Sequence, residues 1–263
     1  MKDGLLLSKI WTLSLFPEIF STLNYGVIGR ALKRGPIQLD HLNLRTFSSD
    51  RGGRVDDRPF GGGKGMVLKC EPICRALDFV KAIKPSAKVV YLSPQGRKLD
   101  QNLLKELLRM PALVLLCGRY EGIDERVLNW VDLEISIGDY VLSGGELPAC
   151  VLIDALMRFS PETISEEARN NDSFAESLLE HPHFTRPQEF AKIKVPAVLL
   201  SGNHKLIVRY RLKQSLGRTW LRRPDLVESC SLNSLEAELL KEFIGEYRDS
   251  GKRLSDECNY SGS

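Results

Sequence analysis

No apolar run in this chain approaches the roughly 18 residues that a membrane-crossing helix needs, so no membrane span is expected. The opening stretch MKDGLLLSKIWTLSLF is interrupted by Asp3 and Lys9, and no small-residue cleavage site follows it, so no signal peptide is expected either. CxxC spacing is absent. Cys70, Cys74, Cys117, Cys150, Cys230 and Cys258 are scattered, which argues against a zinc knuckle and a disulfide framework and fits a reducing, cytoplasmic setting. Histidine is scarce too, and the one close pair, His181 and His183, is split by Pro182 with no cysteine pair nearby; we read it as structural and assign no metal site. A phosphate-binding P-loop is also missing. Gly61-Gly62-Gly63-Lys64-Gly65 has Gly65 where Ser or Thr must follow the lysine, and Arg58 where the first glycine belongs. The same glycines match G-x-G-x-G, but they follow the charged run DRGGRVDDRPF where a nucleotide-binding fold needs a buried strand.

What is present is enough apolar sequence, 43% over 263 residues, for one large domain and a smaller one. Residues 10 to 160 alternate strand-like and helical segments, which predicts an α/β domain over 1–160 with a mostly parallel sheet. The polar, acidic stretch SPETISEEARNNDS predicts a flexible linker over 161–173. Beyond it FAESLLEHPHF, HKLIVRYRLKQSL and LEAELLKEFIGEYR carry helical periodicity, predicting a helical domain over 174–247, with a disordered tail over 248–263. The net charge of +3 is uninformative, but its distribution is not. Between His204 and Arg223 the chain carries Lys205, Arg209, Arg211, Lys213, Arg218 and Arg222 with Tyr210 and Trp220 among them, and no acid. That is the footprint of a surface for phosphates; a solvated helix face would mix both signs.

Three loops carry the strongest site signal. EISIGDYVLSGGELPA pairs Gly144 and Gly145, which allow close backbone approach, with Ile137, Tyr140 and Leu142 as walls for something flat, and then opens the helix ACVLIDALMRF. Tyr91-Leu92-Ser93-Pro94-Gln95-Gly96-Arg97 follows the buried-strand run Ala87 to Val90, and Cys117-Gly118-Arg119-Tyr120-Glu121-Gly122 follows Ala112 to Leu116. Helical patterns, LDQNLLKELL and IDERVLNW, come next in each case. Ligands in open α/β sheets bind at the carboxyl ends of strands, so the three loops can converge on one pocket.

These residues, taken with SLFPE (Ser14 to Glu18), DDRPFGGG (Asp56 to Gly63), DSFAESLL (Asp172 to Leu179), HPHFTRP, LLSGNH and RLKQSLGRTWLRRP, resemble the bacterial tRNA (guanine-N1-)-methyltransferases among the trefoil-knotted SPOUT enzymes, collinearly from about Trp11 to about Pro224. The resemblance implies transfer of a methyl group from S-adenosylmethionine to N1 of guanosine 37 of a tRNA. It implies a knot around the second and third loops, which the general rule against threaded chains would not suggest. It places the donor against Tyr91, Leu92, Ser93, Pro94, Gly118, Arg119, Tyr120, Glu121, Ile137, Gly138, Tyr140, Leu142, Gly144, Gly145 and Pro148. It makes Asp172 the general base, Arg158 the stabiliser of charge on O6, and the helical domain a tRNA-binding one, for which the basic residues His204, Lys205, Arg209, Lys213 and Arg218 are the candidates. A homodimer with an active site shared between subunits is implied, and the loop Gly61–Gly65 falls near the tRNA and dimer surfaces, with Lys64 where the family pattern has a proline or small residue. A divalent magnesium ion is a further candidate to which no residue is assigned. From the residues alone Asp172 also reads as the N-cap of a helix over SFAESLL, a role compatible with that of a base. A ribose 2′-O-methyltransferase of the same fold and a non-catalytic tRNA-binding protein are the alternatives.

Overall fold

The computed structural model describes residues 6–35, 37–160, 163, 172–174 and 177–249. The expected linker lies almost wholly outside them, as does the expected tail beyond Asp249. The chain divides into two compact units between residues 166 and 167.

In the first unit, strands β1 (Lys9–Ser14), β2 (Gln38–Asn43), β5 (Lys88–Lys98), β6 (Ala112–Cys117) and β7 (Leu133–Ser136) form a sheet of order β2-β1-β6-β5-β7. Every pairing in it is parallel. A two-stranded antiparallel ribbon, β3 (Asp56–Asp57) and β4 (Val67–Leu68), stands apart. Among its described residues the unit also has helices α1 (Gly26–Arg34), α2 (Cys70–Ile83), α3 (Gln101–Leu108) and α4 (Glu146–Met157) and three 3-10 segments.

β6 is buried at every position, as a central strand covered on both faces must be. Its side chains alternate between two cores. Leu113, Leu115 and Cys117 join Ile10, Val90, Leu103, Leu152 and Leu156 on one side, while Ala112, Val114 and Leu116 join Trp11, Leu13, Val89, Ile73 and Leu77 on the other. The sheet is therefore a middle layer between helices. The helix α3 starts where Asp100 accepts a hydrogen bond from the Leu103 N–H at 2.7 Å, and it buries Leu103, Leu104, Leu107 and Leu108 along one stripe. IDERVLNW forms a 3-10 turn over Glu125–Trp130 rather than the expected α-helix, with Asp124 capping the Arg126 N–H.

One crossing is unusual. Ile135 of β7 pairs with Leu92 and again with Arg97, so the two partners occupy its two edges and Ser93–Gly96 passes across the strand between them. A Cβ on Gly96 would stand 2.4 Å from the Glu134 carbonyl carbon and the Ile135 nitrogen, so only glycine lets the backbones pass.

The second unit holds the long helix His204–Arg222, the closing helix Ser234–Asp249, two short helices, Ala197–Leu200 and Pro224–Ser229, and a ribbon of Glu189–Phe190 with Ile193–Lys194 that periodicity had not indicated. Asn203 caps the long helix by accepting from the Leu206 N–H. The long and closing helices approach so closely at Gly217 that a Cβ there would lie 2.3 Å from the Phe243 ring. The closing helix runs to Asp249, past the expected boundary at 247, while Tyr247 packs on Phe243 and Trp220. The helix expected over FAESLLEHPHF does not form among the described residues. Phe174 and Ser177 have φ of 70° and 64°, a left-handed backbone incompatible with a helix, and the Phe174 N–H donates to the Leu178 carbonyl instead. Among the described residues of Ser173–Leu179 there is thus no helix for Asp172 to cap.

Candidate functional site

Because the sheet is parallel, the carboxyl ends of β5, β6 and β7 lie side by side, and the loops that leave them enclose a cavity of about 410 Å³. All fifteen residues singled out from the three loops line it, from Tyr91 to Pro94, Gly118 to Glu121, and across Ile137 to Pro148. Gln95, Gly122, Ile135, Ser136, Val141 and Ser143 line it as well.

Glycines set its shape. A Cβ at Gly118 would meet the Tyr91 hydroxyl at 2.9 Å, and one at Gly145 the Cys117 Cα at 2.7 Å. The second and third loops are thereby pressed together. The Gly145 N–H donates to the Gly118 carbonyl at 2.9 Å, and Arg119 and Gly144 form an antiparallel bridge. Tyr120 takes φ of 61° at the turn, while Gly65 of the glycine-rich loop packs against Glu121, whose N–H donates to the Met66 carbonyl. The Tyr91 phenol is pushed up to about 12 by its burial and by the nearby Glu134 and Glu125 carboxylates, so it stays neutral near pH 7.

Arg119 lines the cavity but its charge is spent behind it. Its Nε donates to Glu146 Oε2 at 2.9 Å, its Nη1 to the Ser143 carbonyl at 3.2 Å, and its guanidinium lies over the Phe16 ring at 4.8 Å. Glu146 is wholly buried and its other oxygen accepts from the Ser14 hydroxyl at 2.7 Å. The sequence marked SLFPE only as a matching segment; the structure shows that Ser14 and Phe16 brace the loops around the cavity. No local pattern signals this, since Ser14 and Glu146 lie 132 residues apart.

With Arg119 neutralised, Glu121 is the one carboxylate among the lining residues. A cavity of this size with apolar walls, exposed backbone groups and a single acid suits a flat base joined to a cationic chain, as in S-adenosylmethionine. Arg158 is not at this cavity. It follows the last turn of α4, exposed, and the 10 residues from Pro148 place it about 15 Å along the helix axis. Asp172 is half-buried in the second unit.

Of the basic residues expected to meet RNA, two are paired within the second unit. Arg209 donates to Glu238 at 3.3 Å and to Glu242, and Lys213 to Glu246 at 2.7 Å, all on the closing helix. His204 and Lys205 sit exposed at the start of the long helix, and Arg218 is half-buried further along it. Among the described residues no group of three His, Cys, Asp or Glu side chains could hold a metal ion, and no helix is long and apolar enough to cross a membrane. The five described cysteines are free thiols.

Residues 8–229 match the sequence profile of the tRNA (Guanine-1)-methyltransferase TrmD family. The chain is 54% identical over 248 residues to a tRNA (guanine-N(1)-)-methyltransferase of Cronobacter sakazakii, covering 93% of this chain and 96% of that protein. It is likewise 54% identical over 242 residues to proteins of the same name from Klebsiella pneumoniae and Escherichia coli, with 90% of this chain and 95% of each of them covered.

Proposed function

The chain belongs to the tRNA (Guanine-1)-methyltransferase family, and from that premise we propose how its residues carry out S-adenosylmethionine-dependent methylation of N1 of guanosine 37 in tRNA. The observation that carries the reading is the single cavity into which all three loops converge. Bound there, S-adenosylmethionine supplies an electrophilic methyl group on a sulfonium. The protein's part is to hold that donor, remove the N1 proton and stabilise charge on O6.

Backbone groups of Tyr91–Pro94, Gly118–Glu121 and Ile137–Pro148 grip the donor, with the rigid Gly118–Gly145 contact fixing their spacing. Asp172 takes the proton from N1. A carboxylate with an intrinsic pKa of about 3.9 is a weak base toward guanine, so Arg158 assists by hydrogen bonding to O6, where negative charge accumulates as N1 loses its proton.

The reach of α4 bears on where these groups come from. Leu147 and Val151 are 51% and 48% exposed and share a stripe with Asp154 and Arg158. A two-fold interface on that stripe covers the apolar pair and carries Arg158 of one copy toward the cavity of the other. The active site is then shared between subunits of a homodimer, with Asp172 also supplied from the partner. The passage of Ser93–Gly96 across β7 supports the trefoil knot of this family. The second unit holds the tRNA through exposed basic residues such as His204 and Lys205, and the setting is cytoplasmic; magnesium is given no ligand.

Asp172→Asn tests the assignment. Donor affinity should stay near wild type while single-turnover methyl transfer to unmodified tRNA falls at least about 100-fold, the scale of losing a general base. A near-normal rate would remove Asp172 from that role.

A further inference from the structure

We propose that the second unit contains a ribonucleotide site, a cavity of about 590 Å³ between the His181–Arg186 loop and the long helix, in which Arg186 and Arg211 hold an RNA phosphate and the His181–His183 pair receives a base. The proposal rests on the reading of tRNA as substrate, and it says which face of the unit meets it.

The long helix has two unlike faces. Arg209, Lys213 and Gly217 lie one turn apart and face the closing helix, where Glu238, Glu242 and Glu246 neutralise the two cations and Phe243 packs on the glycine. The side chain of Lys213 is only 15% exposed. Cations already neutralised in this way displace few of the counterions condensed on RNA and so add little to its binding. Arg211, two residues on from Arg209 and about 200° round the helix, points the other way and lines the cavity with Ile207. Neither Arg211 nor Arg186 makes an ion pair or hydrogen bond among the described residues, and both are exposed. Two uncommitted guanidiniums on one cavity are suited to phosphate, whose oxygens accept their paired N–H groups.

The remaining wall suits a base. His181 and His183 stand with ring centroids 4.6 Å apart. Burial, with Arg211 nearby, holds His181 below the ordinary histidine value, so at neutral pH it offers an uncharged ring face. Leu199 supplies apolar surface to the same cavity. The nearby Glu180 carboxylate is hydrogen-bonded to His183 at 2.7 Å and is not among the residues lining the cavity. A lone inorganic phosphate would use the guanidiniums and leave the rings and apolar surface bare, whereas one nucleotide of a single-stranded RNA segment uses both.

The test is equilibrium binding of a labelled, unmodified tRNA transcript to the full-length protein over a range of salt. Arg186→Ala with Arg211→Ala should weaken binding at least about tenfold and lower the slope of log K against log salt by about 1 to 2. Arg209→Ala with Lys213→Ala should change that slope by less than about half a unit. His181→Ala should weaken binding with the slope intact, the signature of lost stacking. Arg211→Lys should keep most of the slope. Unchanged helical circular dichroism and thermal unfolding in every variant show that the second unit keeps its fold, and donor binding by calorimetry does the same for the first. The proposal is overturned if the Arg186/Arg211 variant keeps the wild-type slope, or if the Arg209/Lys213 variant loses as much. A wild-type protein that methylates no tRNA would instead remove the reading on which the proposal stands.

Discussion

At residue 145 there is no room for a methyl group. The nearest atom to a Cβ placed there is the Cys117 Cα at 2.7 Å, followed by the Gly118 nitrogen at 3.1 Å, and backbone of a buried strand cannot swing aside as a side chain would. Gly145→Ala should therefore cost about 1 to 3 kcal/mol of stability through overpacking and weaken donor binding, read by thermal unfolding and calorimetry. Gly52→Ala is the control, because nothing lies within 4 Å of a Cβ there. Equal behaviour of the two variants would show that the second and third loops are not held by this contact. The glycine pair was legible in the sequence as a place of close approach; what approaches it was not, because Cys117 arrives from another strand.

The element that joins the pocket to the rest of the sheet is α4, through the buried Glu146 in its first turn. Glu146→Ala would leave the Arg119 guanidinium, 18% exposed, without its carboxylate, and should cost about 2 kcal/mol, below the range for fully buried pairs because Arg119 keeps some contact with water. Removing both charges in Arg119→Ala with Glu146→Ala should cost no more than the single change, since no uncompensated charge is then left inside. Urea unfolding of Glu146→Ala, Arg119→Ala and the double variant checks this, and strict additivity would contradict it. The strands of the first unit were readable because β6 and its neighbours are short apolar runs bounded by Gly and polar residues, and their parallel order follows from the helices between them. Among the described residues the helical reading of FAESLLEHPHF failed although apolar spacing and an N-capping Asp172 both pointed to it, because the Glu180 N–H donates to Ser173, the Phe174 N–H to Leu178 and the Leu179 N–H to Thr219, 40 residues away. The basic stretch was legible as cationic but not as two-faced. Which arginines are neutralised depends on acids about thirty residues later that come alongside only when two helices pack.

At the scale of the whole molecule the proposed active site needs two chains. A Gly144→Trp variant, whose side chain has no space beside Arg119, and an Asp172→Ala variant should each be inactive alone. Unfolded and refolded together they form about half mixed dimers, in which one site carries both lesions and the other neither, and activity should return to roughly a quarter of wild type. No recovery, with mixed dimers verified by mass spectrometry, would place pocket and base in one chain. The chemistry underlies all of this: the methyl group goes to N1 of guanine rather than to a ribose hydroxyl. The most direct measurement is to incubate the wild-type protein with isotopically labelled S-adenosylmethionine and unmodified tRNA, digest the product and identify the labelled nucleoside. The account expects all label in 1-methylguanosine; label in a 2′-O-methylated nucleoside, or none in tRNA while the donor still binds, would contradict it.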